Sequence, residues 1–133
     1  MKIALISCVS MKREGKHFAK DLYVSPLFKK SYFYAKKHFD KIYILSAKYG
    51  LVSDTQEIES YDMTLNKMGK YEIQRWSALT AKQINETLDE KDELIFMAGK
   101  NYYKYIVKYI SHKYTILMEN LSIGRRLQFL NND

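Results

Sequence analysis

A thiol and two hydroxyls lie close together near the start of the 133-residue chain, in Ser7-Cys8-Val9-Ser10-Met11-Lys12-Arg13. A cysteine at the end of a strand, with lysines nearby and a helix start following, has a setting in which a thiolate can form. A thiolate is a nucleophile. The same cysteine among apolar neighbours would be a small, inert hydrophobe. Ser7, Ser10, Lys12 and Ser25 suit a different task, holding phosphate or another anion. Helix N-termini offer free N–H groups and a positive dipole end for that purpose. In Ser46-Ala47-Lys48-Tyr49-Gly50-Leu51, Lys48 could hold an anion or polarise a carbonyl. Tyr49 could stack on a base or donate a hydrogen bond, and Gly50 permits an unusual turn. Tyr61-Asp62 adds a carboxylate able to pair with Lys48, bind a ribose hydroxyl or act as general base. Asp62 is equally an ordinary turn former.

Two further stretches complete the set. Gly99-Lys100-Asn101-Tyr102 lets a ligand or a neighbouring loop approach closely, and a tight strand-to-helix turn explains it as well. Ser122-Ile123-Gly124-Arg125-Arg126 opens a helix, where one arginine could clamp a phosphate bidentately. Gly124 and Arg125 are the expected contacts. The glycine spacing of a P-loop or a dinucleotide fingerprint is absent. One Cys and three His, without C-x-x-C or H-E-x-x-H, predict no disulfide framework, no metal site and no cofactor.

Charge separates the two ends of the chain. Residues 1–50 hold 11 Lys/Arg against 3 Asp/Glu, whereas residues 51–133 hold 11 against 12. A one-sided basic region attracts polyanions or phosphorylated ligands. Lys29, Lys30, Lys36, Lys37 and Lys41 fall on the wet face of one helix, where they also serve solubility. Tyr102-Tyr103-Lys104-Tyr105 interleaves aromatics with a cation, a pattern suited to stacking on single-stranded nucleic acid, although helical spacing places Tyr103 in the core. No apolar run approaches the ~20 residues that cross a bilayer, and residues 3–8 are too short for a signal-peptide core. A cytoplasmic protein with no membrane contact is expected.

Elements must bring these groups together. Apolar runs at 3–8, 42–45, 94–98 and 114–118 are continuous rather than alternating, as in strands buried on both faces. Ser25-Pro26 is a helix start, after which Phe28, Tyr32, Ala35 and Phe39 share one face. A second helix is predicted over 70–88 with Ile73, Trp76, Thr80, Ile84 and Leu88 inward. A third uses Tyr103, Ile106, Val107 and Ile110, and a fourth starts near Ser122 and buries Ile123, Leu127 and Leu130. The β-α alternation predicts a single α/β domain over 1–133: a small doubly wound, Rossmann-like or flavodoxin-like, four-stranded parallel sheet with helices on both faces. Ligands in such folds bind beyond the carboxyl ends of the strands, which selects loops 7–20, 46–50, 99–102 and 119–124. Segment 52–69 reads as long and irregular, a candidate functional loop or lid.

The ordered set Ile6-Ser7-Cys8 with Lys12, Leu22-Tyr23-Val24-Ser25-Pro26, Ser46-Ala47-Lys48-Tyr49-Gly50-Leu51, Tyr61-Asp62-Met63-Thr64-Leu65, Ala98-Gly99 with Tyr102, and Ile123-Gly124-Arg125-Arg126-Leu127-Gln128 resembles a family of small bacterial and phage proteins of unknown function, labelled YaaA-like. The label implies peroxide stress and DNA protection. A fainter resemblance is to the core domain of archaeosine synthase, a tRNA base-modifying enzyme. Cys8-x-x-x-Lys12 fits its pattern, while Tyr23 and Ser25 follow only after an insertion and no His follows Ser25. That resemblance implies a pocket for a modified guanine or related nucleobase at Cys8 and Lys12.

These readings converge on a nucleotide- or nucleobase-binding protein acting in nucleic-acid base metabolism or modification, by transfer or hydrolysis at a base or glycosidic bond. Cys8, Lys12 and Asp62 are the expected catalytic groups. Ser7, Ser10, Ser25, Ser46, Lys48, Tyr49, Gly50, Tyr61, Gly99, Tyr102, Gly124 and Arg125 are the expected ligand contacts. The partner is a nucleotide, nucleobase or nucleic acid. Two other classes fit the same residues: a non-enzymatic DNA- or RNA-binding stress-protection protein, and a phage or host accessory protein that sequesters a nucleotide or binds a protein.

Overall fold

The computed structural model describes residues 1–7 and 12–131. In chain order the elements are β1 (Lys2–Ser7), β2 (Lys16–Phe18), α1 (Ala19–Leu22), α2 (Pro26–His38), β3 (Lys41–Ser46), β4 (Gly50–Ser53) and β5 (Glu57–Glu59). There follow α3 (Lys70–Thr87), β6 (Glu93–Met97), α4 (Lys100–Tyr103), β7 (Tyr114–Ile116) and α5 (Ile123–Asn131), with 3₁₀ turns at Leu65–Lys67 and Ile106–Lys108. The four apolar runs all become strands.

The main sheet has five strands in the order β4-β3-β1-β6-β7. The strands β3, β1, β6 and β7 are parallel. The fifth, β4, folds back antiparallel on β3, with Ser46 opposite Gly50. This corrects the expected four-stranded, all-parallel sheet. Residues 50–53 make a four-residue edge strand directly after a tight turn, too short to stand out as a separate apolar run. An antiparallel edge on an otherwise parallel sheet is a common arrangement.

Alternate residues of the central strands point to opposite faces, and each face has its own apolar layer. Ile3, Leu5, Leu45, Leu94 and Phe96 pack with Ile73, Trp76, Ala81 and Ile84 of α3 and with Tyr102 and Ile106. Ala4, Ile6, Ile42, Ile44, Ile95 and Met97 pack with Phe28 and Ala35 of α2 and Leu130 of α5. The inward positions predicted for α3, including Thr80 and Leu88, are all buried. The connection from β1 to β3 therefore crosses one face through α2. The connection from β3 to β6 crosses the other through α3. The neighbours β1 and β6 thus stand where successive crossovers leave for opposite faces.

Further expectations change. Ile123, expected inward on the last helix, is 65% exposed, and Lys41, expected on the wet face of α2, opens β3 because α2 ends at His38. The predicted third helix is broken into α4 and the turn at Ile106–Lys108. Tyr102, Tyr103, Tyr105, Ile106, Val107, Tyr109 and Ile110 are aromatic or β-branched, and lose rotamer freedom in a continuous helix. Segment 52–69 is not structureless. It holds the end of β4, the 3₁₀ turn at Leu65–Lys67, and β5, which pairs antiparallel with β2. That small ribbon, with the Ala19 N–H donated to the Gln56 carbonyl at 2.8 Å, ties the β1–α2 connection to the segment after β4. Among the described residues, no helix is long and apolar enough to cross a membrane.

Candidate functional site

A cleft of about 430 Å³ opens at the carboxyl ends of β1 and β6, on the face covered by α2 and α5. Its floor is Ser7 from β1 and Met97-Ala98-Gly99 from the end of β6. The Ser7 hydroxyl accepts the Gly99 N–H at 3.2 Å, joining the two strand ends. Phe28, Leu27, Leu117, Met118 and Leu127 make apolar walls. The site thus lies at the point in the sheet where open α/β folds bind ligands.

Two helices begin at this cleft, and a serine caps each. The Ser25 hydroxyl accepts the Phe28 N–H at 3.1 Å at the start of α2, where Pro26 fits the first turn. The Ser122 hydroxyl accepts the Arg125 N–H at 3.3 Å at the start of α5. First-turn residues of both helices, Pro26-Leu27-Phe28 and Ile123 with Arg126, line the one cavity. The Arg126 Nε donates to the Leu121 carbonyl at 3.0 Å, which fixes the side chain. The remaining guanidinium N–H groups are its binding capacity. Arg126 also acts on Tyr103. Burial, and then the negative charge of Glu119, push the Tyr103 hydroxyl above its ordinary pKa, with Arg126 opposing them.

Of the expected contacts, Ser7, Ser25, Gly99 and Tyr102 line the cleft. Gly124 and Arg125 do not. Both are exposed, and Gly124 has open space where a side chain would stand. The helical period distinguishes the two arginines. Arg126 lies four residues before buried Leu130, on the same helix face, and Arg125 does not.

The Ser46–Gly50 turn lies at the same sheet edge, above β3, but outside the cleft. Ser7 and Leu45 are register partners, so the two strand ends are adjacent. Ser46 is fully buried, and its hydroxyl accepts the Tyr49 N–H at 3.0 Å, closing the turn. Its carbonyl accepts the Trp76 indole N–H at 3.0 Å. At Gly50 φ is +76°, and Gln83 of α3 stands where a side chain would go. Gln83 accepts the Leu51 N–H and donates to the Tyr49 carbonyl. Ser46 and Gly50 thus hold the turn, and neither lines the cleft.

Lys48, Tyr49, Tyr61 and Lys12 form a second group beside the cleft. Lys12 Nζ lies 4.5 Å from the centre of the Tyr61 ring, and Lys48 Nζ lies 5.3 Å from that of Tyr49. The Tyr49 and Tyr61 rings meet edge to face at 5.8 Å. The Tyr61 and Tyr23 hydroxyls are 2.7 Å apart, and the Tyr23 ring packs on Phe28 of the cleft wall. Aromatic contacts therefore connect this cationic cluster to the cleft. Asp62 is exposed and lines neither group. Cys8 and Ser10 lie outside the described residues. In sequence, Cys8 directly follows Ser7 of the cleft floor.

Several cleft residues escaped the sequence reading. Asn66 enters from the 3₁₀ turn, with its side-chain oxygen accepting the Asn101 amide at 3.0 Å. Leu117 and Met118 enter from the turn after β7, where Met118 has φ of 61°. No spacing in the sequence marks them.

Fold and cleft together define an α/β protein with a ligand-sized, mostly apolar cavity at the carboxyl edge of a largely parallel sheet. The chain belongs to the family of unknown function DUF6884, whose profile matches residues 3–132. It is similar to the uncharacterized protein YfjM of Bacillus subtilis (strain 168). The two are 33% identical over 122 residues, covering 85% of this chain and 77% of that protein. No solved structure matches it significantly.

Proposed function

We propose that the cleft binds a nucleobase or nucleotide, and that the protein acts in nucleic-acid base metabolism or modification, by transfer or hydrolysis at the base or its glycosidic bond. The observation that carries this reading is the composition of the one cavity formed by β1, β6, α2 and α5. Apolar walls from Phe28, Met97, Leu117 and Leu127 suit a heteroaromatic ring. Arg126 and two capped helix N-termini at the same cavity suit a phosphate. Asn66, Ser7 and Ser25 are the short polar groups that fix orientation in pockets of this kind. The Cys8-x-x-x-Lys12 spacing, read in the sequence as resembling a tRNA base-modifying core domain, is consistent with it. Cys8, next in the chain to Ser7, is the proposed nucleophile, with Lys12, four residues on in the chain, as the proposed cation. Asp62 would reach a ligand only if that ligand extended beyond the cleft.

A thermal-shift series over free bases, nucleosides and 5′-monophosphates tests the reading, because a ligand of the folded state raises the melting temperature. Monophosphates are expected to shift it further than the matching nucleosides. Arg126→Ala should weaken monophosphate binding roughly 10–100-fold, the range of a lost charge-assisted hydrogen bond, and leave base binding nearly unchanged. Arg125→Ala should alter neither. No shift with any base-bearing compound at millimolar concentration overturns the proposal.

A further inference from the structure

The outer face of α2 has a composition that the fold does not explain. Lys29, Phe33, Lys36 and Lys37 recur at helical spacing and are all exposed, with Phe33 65% exposed at the centre. The helix contains no acidic residue. Among the described residues, none of these lysines makes an ion pair. The nearby acids are engaged elsewhere: Asp40 accepts the Lys2 N–H, Asp54 accepts the Tyr32 hydroxyl, and Asp21 pairs with Lys20. Lys37 Nζ lies 5.2 Å from the centre of the Phe33 ring, placing a cation over an exposed aromatic face. Lys29 and Lys30 stand near the helix N-terminus, where a positive charge opposes the dipole. Lys30 is held by Asn131 of α5. Among the described residues, Lys29 makes no ion pair.

We propose that the cleft receives a base belonging to a single-stranded nucleic acid, and that the phosphates flanking that base run along Lys29, Lys36 and Lys37, with a neighbouring base stacked on Phe33. The proposal rests on the nucleobase reading of the cleft and names the substrate class for it. Continuity supports it: α2 begins in the cleft wall at Ser25-Pro26-Leu27-Phe28, and its basic face starts one residue later. From Pro26 to Lys37 the helix rises about 16 Å at 1.5 Å per residue. Along the axis of a stacked strand each nucleotide rises roughly 3.4 Å, so the face spans the length of several nucleotides. Cations tracking the backbone beside an exposed ring are the recurring device of single-strand binding. A single strand fits best, because it presents an unpaired base without the cost of flipping one out of a duplex.

The test uses the full chain and fluorescence anisotropy with short labelled single-stranded DNA and RNA, titrated across salt. The variants are the triple Lys29→Gln/Lys36→Gln/Lys37→Gln and the single Phe33→Ala. All four positions are solvent-exposed, and unchanged melting without ligand confirms folding. In the triple variant the slope of log affinity against log salt should fall by about 2, at roughly 0.7 per lost phosphate contact, with affinity down at least tenfold at low salt. Phe33→Ala should lose roughly 5–100-fold with the salt slope unchanged. Monophosphate thermal shifts should be the same in both variants as in the parent. Unchanged oligonucleotide affinity and slope in the triple variant overturns the strand track, while persistent monophosphate shifts leave the cleft reading standing. Equal affinity for duplex overturns the single-strand assignment. Absence of a shift with any base, nucleoside or monophosphate overturns the cleft reading itself, whichever oligonucleotides bind.

Discussion

Two residues at the β3 exit have structural roles beside the binding roles expected of them. Ser46 and Gly50 flank a lysine and a tyrosine at a strand exit, yet both serve the β3–β4 hairpin. Gly50 has a positive φ, and Gln83 bridges Tyr49 and Leu51 across it. Gly50→Ala should therefore destabilise the protein by about 2–3 kcal/mol. Backbone strain in the left-handed region accounts for about 1–2 kcal/mol of this, and loss of the Gln83 hydrogen bonds for the rest. Urea unfolding measures it. In a Gln83→Ala background the same substitution should cost less, since only the backbone term remains. Equal costs in both backgrounds would show that Gln83 takes no part.

At the scale of elements, the cleft depends on where α2 and α5 begin. Ser25 does two things at once: it lines the cavity and holds the first turn of α2. Ser25→Ala should cost about 1 kcal/mol of stability, the usual value of a lost N-cap, and should also weaken ligand binding. Ser25→Asp should recover the stability, because aspartate caps equally well, but should bind phosphorylated ligands worse than the parent, because it places a negative charge at the cavity. Comparing denaturant midpoints with ligand thermal shifts separates the two effects. Recovery of both properties by aspartate would remove the anion from the account. The element pattern itself was legible in the sequence. Strong 3.6-residue periodicity marked α2 and α3, and continuous apolar runs marked four strands. The strand β4 and the β2–β5 ribbon were not legible, because three- and four-residue strands are defined by their partners rather than by their own pattern.

Across the whole molecule, α2 is also held to the sheet's far edge. The Tyr32 hydroxyl donates to the Asp54 carboxylate at 2.8 Å, linking α2 to the turn after β4. Burial, then the Asp54 hydrogen bond, and then the charges of Asp54 and Asp21 push the Tyr32 hydroxyl far above the ordinary tyrosine value of 10.0. Above that value the unfolded chain releases the proton while the folded chain retains it. The folded state then binds more protons, so stability falls as pH rises. Thermal melts are expected to show a decline beginning near pH 10, and Tyr32→Phe should flatten it. At neutral pH the same variant should lose about 1.5–3 kcal/mol, the net value of a hydrogen bond to a charged group. An alkaline decline of unchanged slope in the variant would assign it to other groups.

The sequence by itself determined the α/β class, the four principal strands, the two long helices and the edge of the sheet at which polar loops gather. Each of these follows from local chemistry: apolar periodicity, capping residues, and turn formers between them. The tertiary structure alone decided which polar groups share a cavity. It brought Asn66, Leu117 and Met118 into the cleft from distant parts of the chain, directed Arg126 rather than Arg125 toward it, and left Ser46 and Gly50 in a turn beneath α3. The physical reason is that a cavity is bounded by several elements at once, and their relative placement is set by packing against two separate apolar layers. No stretch of sequence carries that placement on its own.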